Sequence, residues 1–175
     1  STPVANAWVS EDSSHVDLKV FNIVVTKGII DLISENESLD PNNKAEKSEA
    51  MLAALLGHEL GHAMNEDTMN SGLTIRTYFE LRADEFSVKL LNKSGYPPRS
   101  MVALLNSIEH ASQSKTAKDF MSKLLSVHPK TKFRIANITE LVDTLDSSYS
   151  AYKELGFAAH KILNVPSVNL SRSGL

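Results

Sequence analysis

Three residue types at fixed spacing carry whatever chemistry this chain performs. The run His58-Glu59-Leu60-Gly61-His62 sets two imidazoles four residues apart. On a helix that is about 40° of rotation and one turn of rise, so both rings can address one ion. Glu59 stands about 100° round from His58, near enough to act on a water at that ion without ligating the ion itself. Downstream, Glu80 and Asp84 repeat the four-residue spacing in a second helical pattern. Glu80 would complete three protein ligands and leave the fourth position of a tetrahedral zinc to water, as hydrolytic sites require. Asp84 is then placed to accept the outer N–H of a ligand histidine and fix its tautomer. Singly, a spaced histidine pair is more often a surface or core pair than a site, and Glu80 or Asp84 alone reads as solvated. Their combination points to metal. A structural zinc site would close the fourth position with another Cys or His, and the neighbouring sequence offers no further candidate.

Composition narrows the alternatives. The chain has no cysteine, which removes disulfides, thiolate metal sites and a thiol nucleophile together. A net charge of -3 leaves no basic footprint, so nucleic acid is not an expected partner. Its 175 residues, 42% hydrophobic and 22% charged, suit a single folded domain spanning 1–175. No apolar stretch approaches the roughly 20 residues needed to cross a bilayer, and the chain is expected not to span a membrane. It opens at Ser1 without methionine, compatible with removal of a leader or lipid anchor, so the compartment stays open. Nothing in the sequence speaks to oligomeric state.

The elements that must position these residues follow from pattern. Asn6 to Val9 and Val16 to Val25 are strand-like, separated by a polar turn through Glu11 to Ser14. Thr26 is a suitable N-cap for a short helix carrying Ile29, Ile30, Leu32 and Ile33. Asn43 and Glu46 resemble a capping box opening a helix from Lys44 to about Asn65, which holds the histidine pair. A second helix is expected from roughly Thr77 to Lys93, stopped by Gly95, Pro97 and Pro98. Further helices are expected at about Arg99–Ala111, Ala117–Leu125, Lys130–Leu145 and Ala151–Leu163. The fold class is α+β, mostly helical with a small N-terminal sheet. Gly61 and Ala83 are small where the two site helices would have to approach, and Trp8 reads as a core anchor.

With these residues in place, the sequence resembles the gluzincin metallopeptidases of the heat-shock-peptidase and CAAX-prenyl-protease family, in particular its periplasmic-type members without membrane spans. The resemblance lies in Asn6-Ala7-Trp8, Val25 through Ile30, Glu49 through Ala63, Glu80 through Asp84, Gly95-Tyr96-Pro97, His128-Pro129 and Arg134, in the family's order over about residues 6–140. It implies a gluzincin-like domain with an active-site helix, one Zn2+ per chain on His58, His62 and Glu80, and Glu59 as general base. It further implies His128 near the metal as oxyanion stabiliser and Arg134 behind the ligands. Asn6 and Ala7 would lie on an edge strand that pairs with extended substrate. The implied activity is endoproteolysis of extended or unfolded proteins, with an extracytoplasmic location and a role in protein quality control. One residue departs from the pattern: Arg82 stands where an acidic residue is common. Residues 146–175 carry no motif of the family. Two rival readings remain: a latent peptidase whose extended segment Val165 to Leu170 lies in the cleft, and a metal-stabilised binding or chaperone module without chemistry.

Overall fold

Two helices carry the site, and their buried stripes dictate how they meet. Helix α2, Lys44–Met64, buries Met51, Leu55, His58 and His62 on one face, so its stripe runs from apolar to polar. Helix α3, Leu73–Lys93, buries Glu80, Asp84, Val88 and Leu91, in the opposite order. The two pack antiparallel, Gly57 against Ser87 and Gly61 against Ala83, which sets polar end on polar end and apolar on apolar. Small residues permit the approach: a Cβ on Gly61 would lie 3.0 Å from Ala83 Cα and 3.2 Å from Ala83 O. Ser87 lies flush against α2 by donating its hydroxyl to the Ala54 carbonyl at 2.7 Å.

The computed structural model describes residues 5–12, 14, 20–34, 43–67, 73–113, 124–126, 128 and 131–154. Strands β1, Ala7–Asp12, and β2, Val20–Val25, form an antiparallel pair in register from Ala7↔Val25 to Asp12↔Val20. Helix α1, Lys27–Ser34, follows and buries Ile29 and Ile33. Helix α4, Ser100–Gln113, buries Met101, Leu104, Leu105 and Ile108 at helical spacing, and helix α5, Thr131–Glu154, turns Arg134, Ile138 and Val142 inward. The chain is thus mostly helical with one small sheet, α+β as expected. The apolar ends of α2 and α3 join α1, α4, α5 and Leu124 in one core. No helix among the described residues is long and apolar enough to cross a membrane.

Several local expectations change. The expected polar turn opens later, because β1 pairs as far as Asp12 before Asp12 Oδ1 accepts from the Ser14 N–H at 3.0 Å. Thr26 does not spend its hydroxyl on α1. It accepts from the Asn6 N–H at 2.8 Å and donates to the Asn6 carbonyl at 2.9 Å, tying the strand ends together. Asn43 makes no side-chain cap bond, so the capping box is not formed. Helix α3 starts at Leu73 rather than Thr77, and α5 runs through to Glu154 where a break was expected, because its polar middle holds no Gly or Pro to interrupt the ladder. Trp8 is half-buried and outside the core cluster. Helix α2 closes on a left-handed residue, Glu66 (φ 54°), with Glu66 N–H on Ala63 O at 3.2 Å and Asp67 N–H on His62 O at 3.1 Å. Glycine is the usual occupant of that position. Residues 16–19, most of the Ala117–Leu125 segment, and everything after Glu154, including the Val165 to Leu170 segment, lie outside the described residues.

The close crossing at Gly61 gives a direct test. Gly61→Ala gains helix propensity, yet its methyl meets Ala83 backbone that cannot step aside cheaply, so α2 and α3 must separate. Urea unfolding should show a loss of about 1–3 kcal/mol.

Candidate metal centre

The antiparallel packing brings His58, His62, Glu80 and His128 together, with one ligand-capable atom from each lying within 4.8 Å of all the others. His58 Nε2 lies 3.1 Å from His62 Nε2 and 3.5 Å from Glu80 Oε2, and His62 Nε2 lies 3.3 Å from Glu80 Oε1. Two donors each about 2.0–2.1 Å from a tetrahedral zinc are about 3.3 Å apart, so these separations suit that ion. His128 arrives on a short helical turn, its N–H on the Leu124 carbonyl at 2.8 Å. Its Nδ1 lies 3.1 Å from Glu80 Oε2 and 3.4 Å from His58 Nε2, while its Nε2 lies 3.2 Å from the Ala7 carbonyl and 3.6 Å from Glu59 Oε1. A fourth donor that the neighbouring sequence did not offer is therefore supplied in space.

Behind the ligands stand carboxylates and guanidinium groups. His58 Nδ1 lies 2.8 Å from Asp84 Oδ1, although its N–H is not aimed squarely at the oxygen, so the contact is electrostatic before it is a hydrogen bond. Arg134 donates to Asp84 through Nε at 2.8 Å and Nη2 at 2.6 Å, and its Nη1 lies 2.8 Å from Glu80 Oε2. His62 Nδ1 lies 2.9 Å from Asp67 Oδ2, and Asp67 is paired in turn with Arg82. The sequence reading missed Asp67, which lies beyond the end of α2 and outside any helical period. The one pointer was Arg82, a cation placed where the resemblance expects an acid.

Glu59 differs from every other acid here. It is 1% exposed, and neither carboxylate oxygen has a hydrogen-bond partner among the described residues. It lines a cavity whose wall is apolar on one side, with Leu55, Met101, Leu104 and Leu124, and polar on the other, with His58, His128 and Arg134. Asn6 is buried, its N–H and carbonyl both engaged by Thr26, and its carboxamide oxygen is left without a partner. Ala7 presents its carbonyl to His128 on the edge of β1 away from β2.

Charge decides what the centre can hold. The buried carboxylates of Glu59, Glu80 and Asp84 face one buried guanidinium, Arg134, while Asp67 has its own partner in Arg82. Two negative charges are left over, and buried charge of this kind must be neutralised. In the metal-free protein the imidazoles take up protons. Burial pulls His58 down, but Asp84 and Glu80 outweigh it and raise the ring from 6.5 to about 9. Burial likewise opposes protonation of His128, and Glu80 raises it. Burial would raise Glu80 and Asp84, yet His128 and Arg134 hold Glu80 well below the usual carboxylate range and Arg134 holds Asp84 down. A divalent cation would supply the same compensation, and the nitrogen and oxygen donors suit zinc.

A model of the family described as peptidase family M48 matches residues 1–75 and 69–142. No curated protein and no solved structure matches the chain.

Because ligation needs neutral imidazoles, zinc and protons compete for the same nitrogens. The raised His58 value adds stability to the metal-free fold below about 6.5, and that stability fades as pH rises through about 9. Zinc uptake at pH 7 should therefore release about one to two protons, and affinity should rise toward pH 9. Calorimetry in buffers of differing ionisation enthalpy would measure this.

Proposed function

The chain belongs to peptidase family M48, and on that premise we propose that it is a zinc-dependent endopeptidase acting on extended or unfolded protein chains. His58, His62 and Glu80 would hold the metal, one ion per chain. The observation that carries the reading is Glu59: a buried carboxylate with no hydrogen-bond partner among the described residues, beside the point where the imidazoles converge. Burying such a group unpaired costs several kcal/mol, which a purely structural centre has no use for.

Zinc in this position would act as a Lewis acid, bringing a water's pKa toward neutrality. Glu59 takes the proton of the attacking water as it adds to the scissile carbonyl and returns it to the departing amine, serving as base and then acid. Apolar side chains flank Glu59 on one side, and His128 Nε2 stands 3.6 Å from its Oε1 on the other. His128, held by Glu80 in the protonated direction, offers an N–H to the developing oxyanion. Asp84 and Arg134 keep His58 and Glu80 oriented. The outer edge of β1 has no partner strand among the described residues, and its Ala7 carbonyl lies at the centre. An extended substrate strand would add there, with the Asn6 carboxamide beside it.

One observation favours a second reading. His128 Nδ1 stands at ligand-like distances from both Glu80 and His58. A metal held by all four residues would have no place for water, and the chain would be latent in that state.

Two variants separate these readings. Glu59→Gln should keep zinc stoichiometry while turnover of an unfolded casein substrate falls roughly 10²- to 10⁴-fold. His128→Ala should lower turnover by about 10²-fold if the ring stabilises the oxyanion. An increase would mean that it closes the site.

A further inference from the structure

The two imidazoles of α2 are backed in the same manner from opposite sides. Arg134 grips Asp84, which stands at Nδ1 of His58. Arg82 grips Asp67, which stands 2.9 Å from Nδ1 of His62. The Asp67 side chain is only 4% exposed and sits between Arg82 and His62. Arg82 is fixed in its own right, lying over the rings of Tyr78 and Phe79 at 5.3 and 5.4 Å, with Nη2 also directed at the Asn65 carbonyl.

The route of the chain to Asp67 is a separate observation. For Asp67 to turn back onto the helix it has just left, Glu66 occupies a left-handed conformation, φ 54°, that L-residues rarely adopt. The bonds Glu66 N–H to Ala63 O and Asp67 N–H to His62 O hold that turn closed. A helix with no need of Asp67 could end on a glycine without strain. Backbone strain held in place beside a cluster of ligating groups is a mark of function.

We propose that Asp67, held by Arg82, is a positioning residue for His62: it accepts the Nδ1 proton and thereby commits Nε2 to the metal. This rests on the zinc reading above. The Arg82–Asp67 pair also ties α3 to the end of α2, so ring orientation and helix spacing are set by one contact. A lysine at 82 would supply charge but not the planar stacking that the position uses.

The test is zinc affinity by competition with a chromophoric chelator, together with the NMR signal of the His62 Nδ1 proton in zinc-loaded, 15N-labelled protein. Asp67→Ala should bind zinc roughly 10- to 100-fold more weakly and lose the exchange-protected Nδ1 proton, and Asp67→Glu should recover part of both. Asp67→Asn, nearly isosteric, and Arg82→Leu should each weaken binding several-fold, which guards against an alanine variant that does not fold. If Asp67→Asn and Arg82→Leu fold and keep wild-type affinity, with the proton still protected, the proposal is overturned. A wild-type protein that takes up no zinc would overturn the zinc reading and this inference with it. A zinc-binding wild type with unaffected variants would overturn this inference alone.

Discussion

Two surplus negative charges, buried between α2 and α3, are what the rest of the molecule is arranged around. Among the described residues, the buried carboxylates of Glu59, Glu80 and Asp84 outnumber Arg134, and such a surplus survives only where a cation or protons answer it. Without metal, His58 and His128 answer it by holding protons beyond their ordinary range. On the zinc reading a bound metal would make those protons redundant, and the exchange between the two would couple metal affinity to pH.

The fold brings these charges together by packing rather than by hydrogen bonding alone. Each site helix has one buried stripe, apolar at one end and polar at the other, and antiparallel contact is the arrangement that matches both halves. Gly57 and Gly61 let the backbones close until Glu80 lies at ligand distance from His62. The apolar halves then become part of the core with α1, α4 and α5, so the stability of the site and that of the core are not separable. Arg134 enters from α5 on the same inward face as Ile138 and Val142.

Much of this was legible in the sequence, for physical reasons that differ from residue to residue. His58, Glu59 and His62 were readable because a helix makes spacing into geometry. Glu80 and Asp84 were readable once a second helix was assumed, and Gly61 and Ala83 gave its contact face. His128 and Arg134 carry no local period, and only resemblance brought them in. That His128 would stand at ligand distance was not legible, since a residue 48 positions from Glu80 meets it only after folding. Asp67 was missed because a left-handed glutamate, not a glycine, turns the chain back, and nothing in the residue types announces that turn. The caps failed for a related reason: Thr26 and Asn43 have the right chemistry, yet Thr26 bonds Asn6 and Asn43 makes no cap bond.

A backed imidazole is a rigid one, and the site uses that rigidity twice, from Asp84 and from Asp67. Glu59 is the counterpart, without a hydrogen-bond partner among the described residues where Glu80, Asp84 and Asp67 each have one. The most direct test of the account is anomalous diffraction at the zinc edge from crystals of the zinc-loaded protein. The account requires a single peak bonded to Nε2 of His58, Nε2 of His62 and the Glu80 carboxylate, with Glu59 facing the ion without bonding it. No peak between these side chains, or one that leaves Glu80 unbonded, would contradict it.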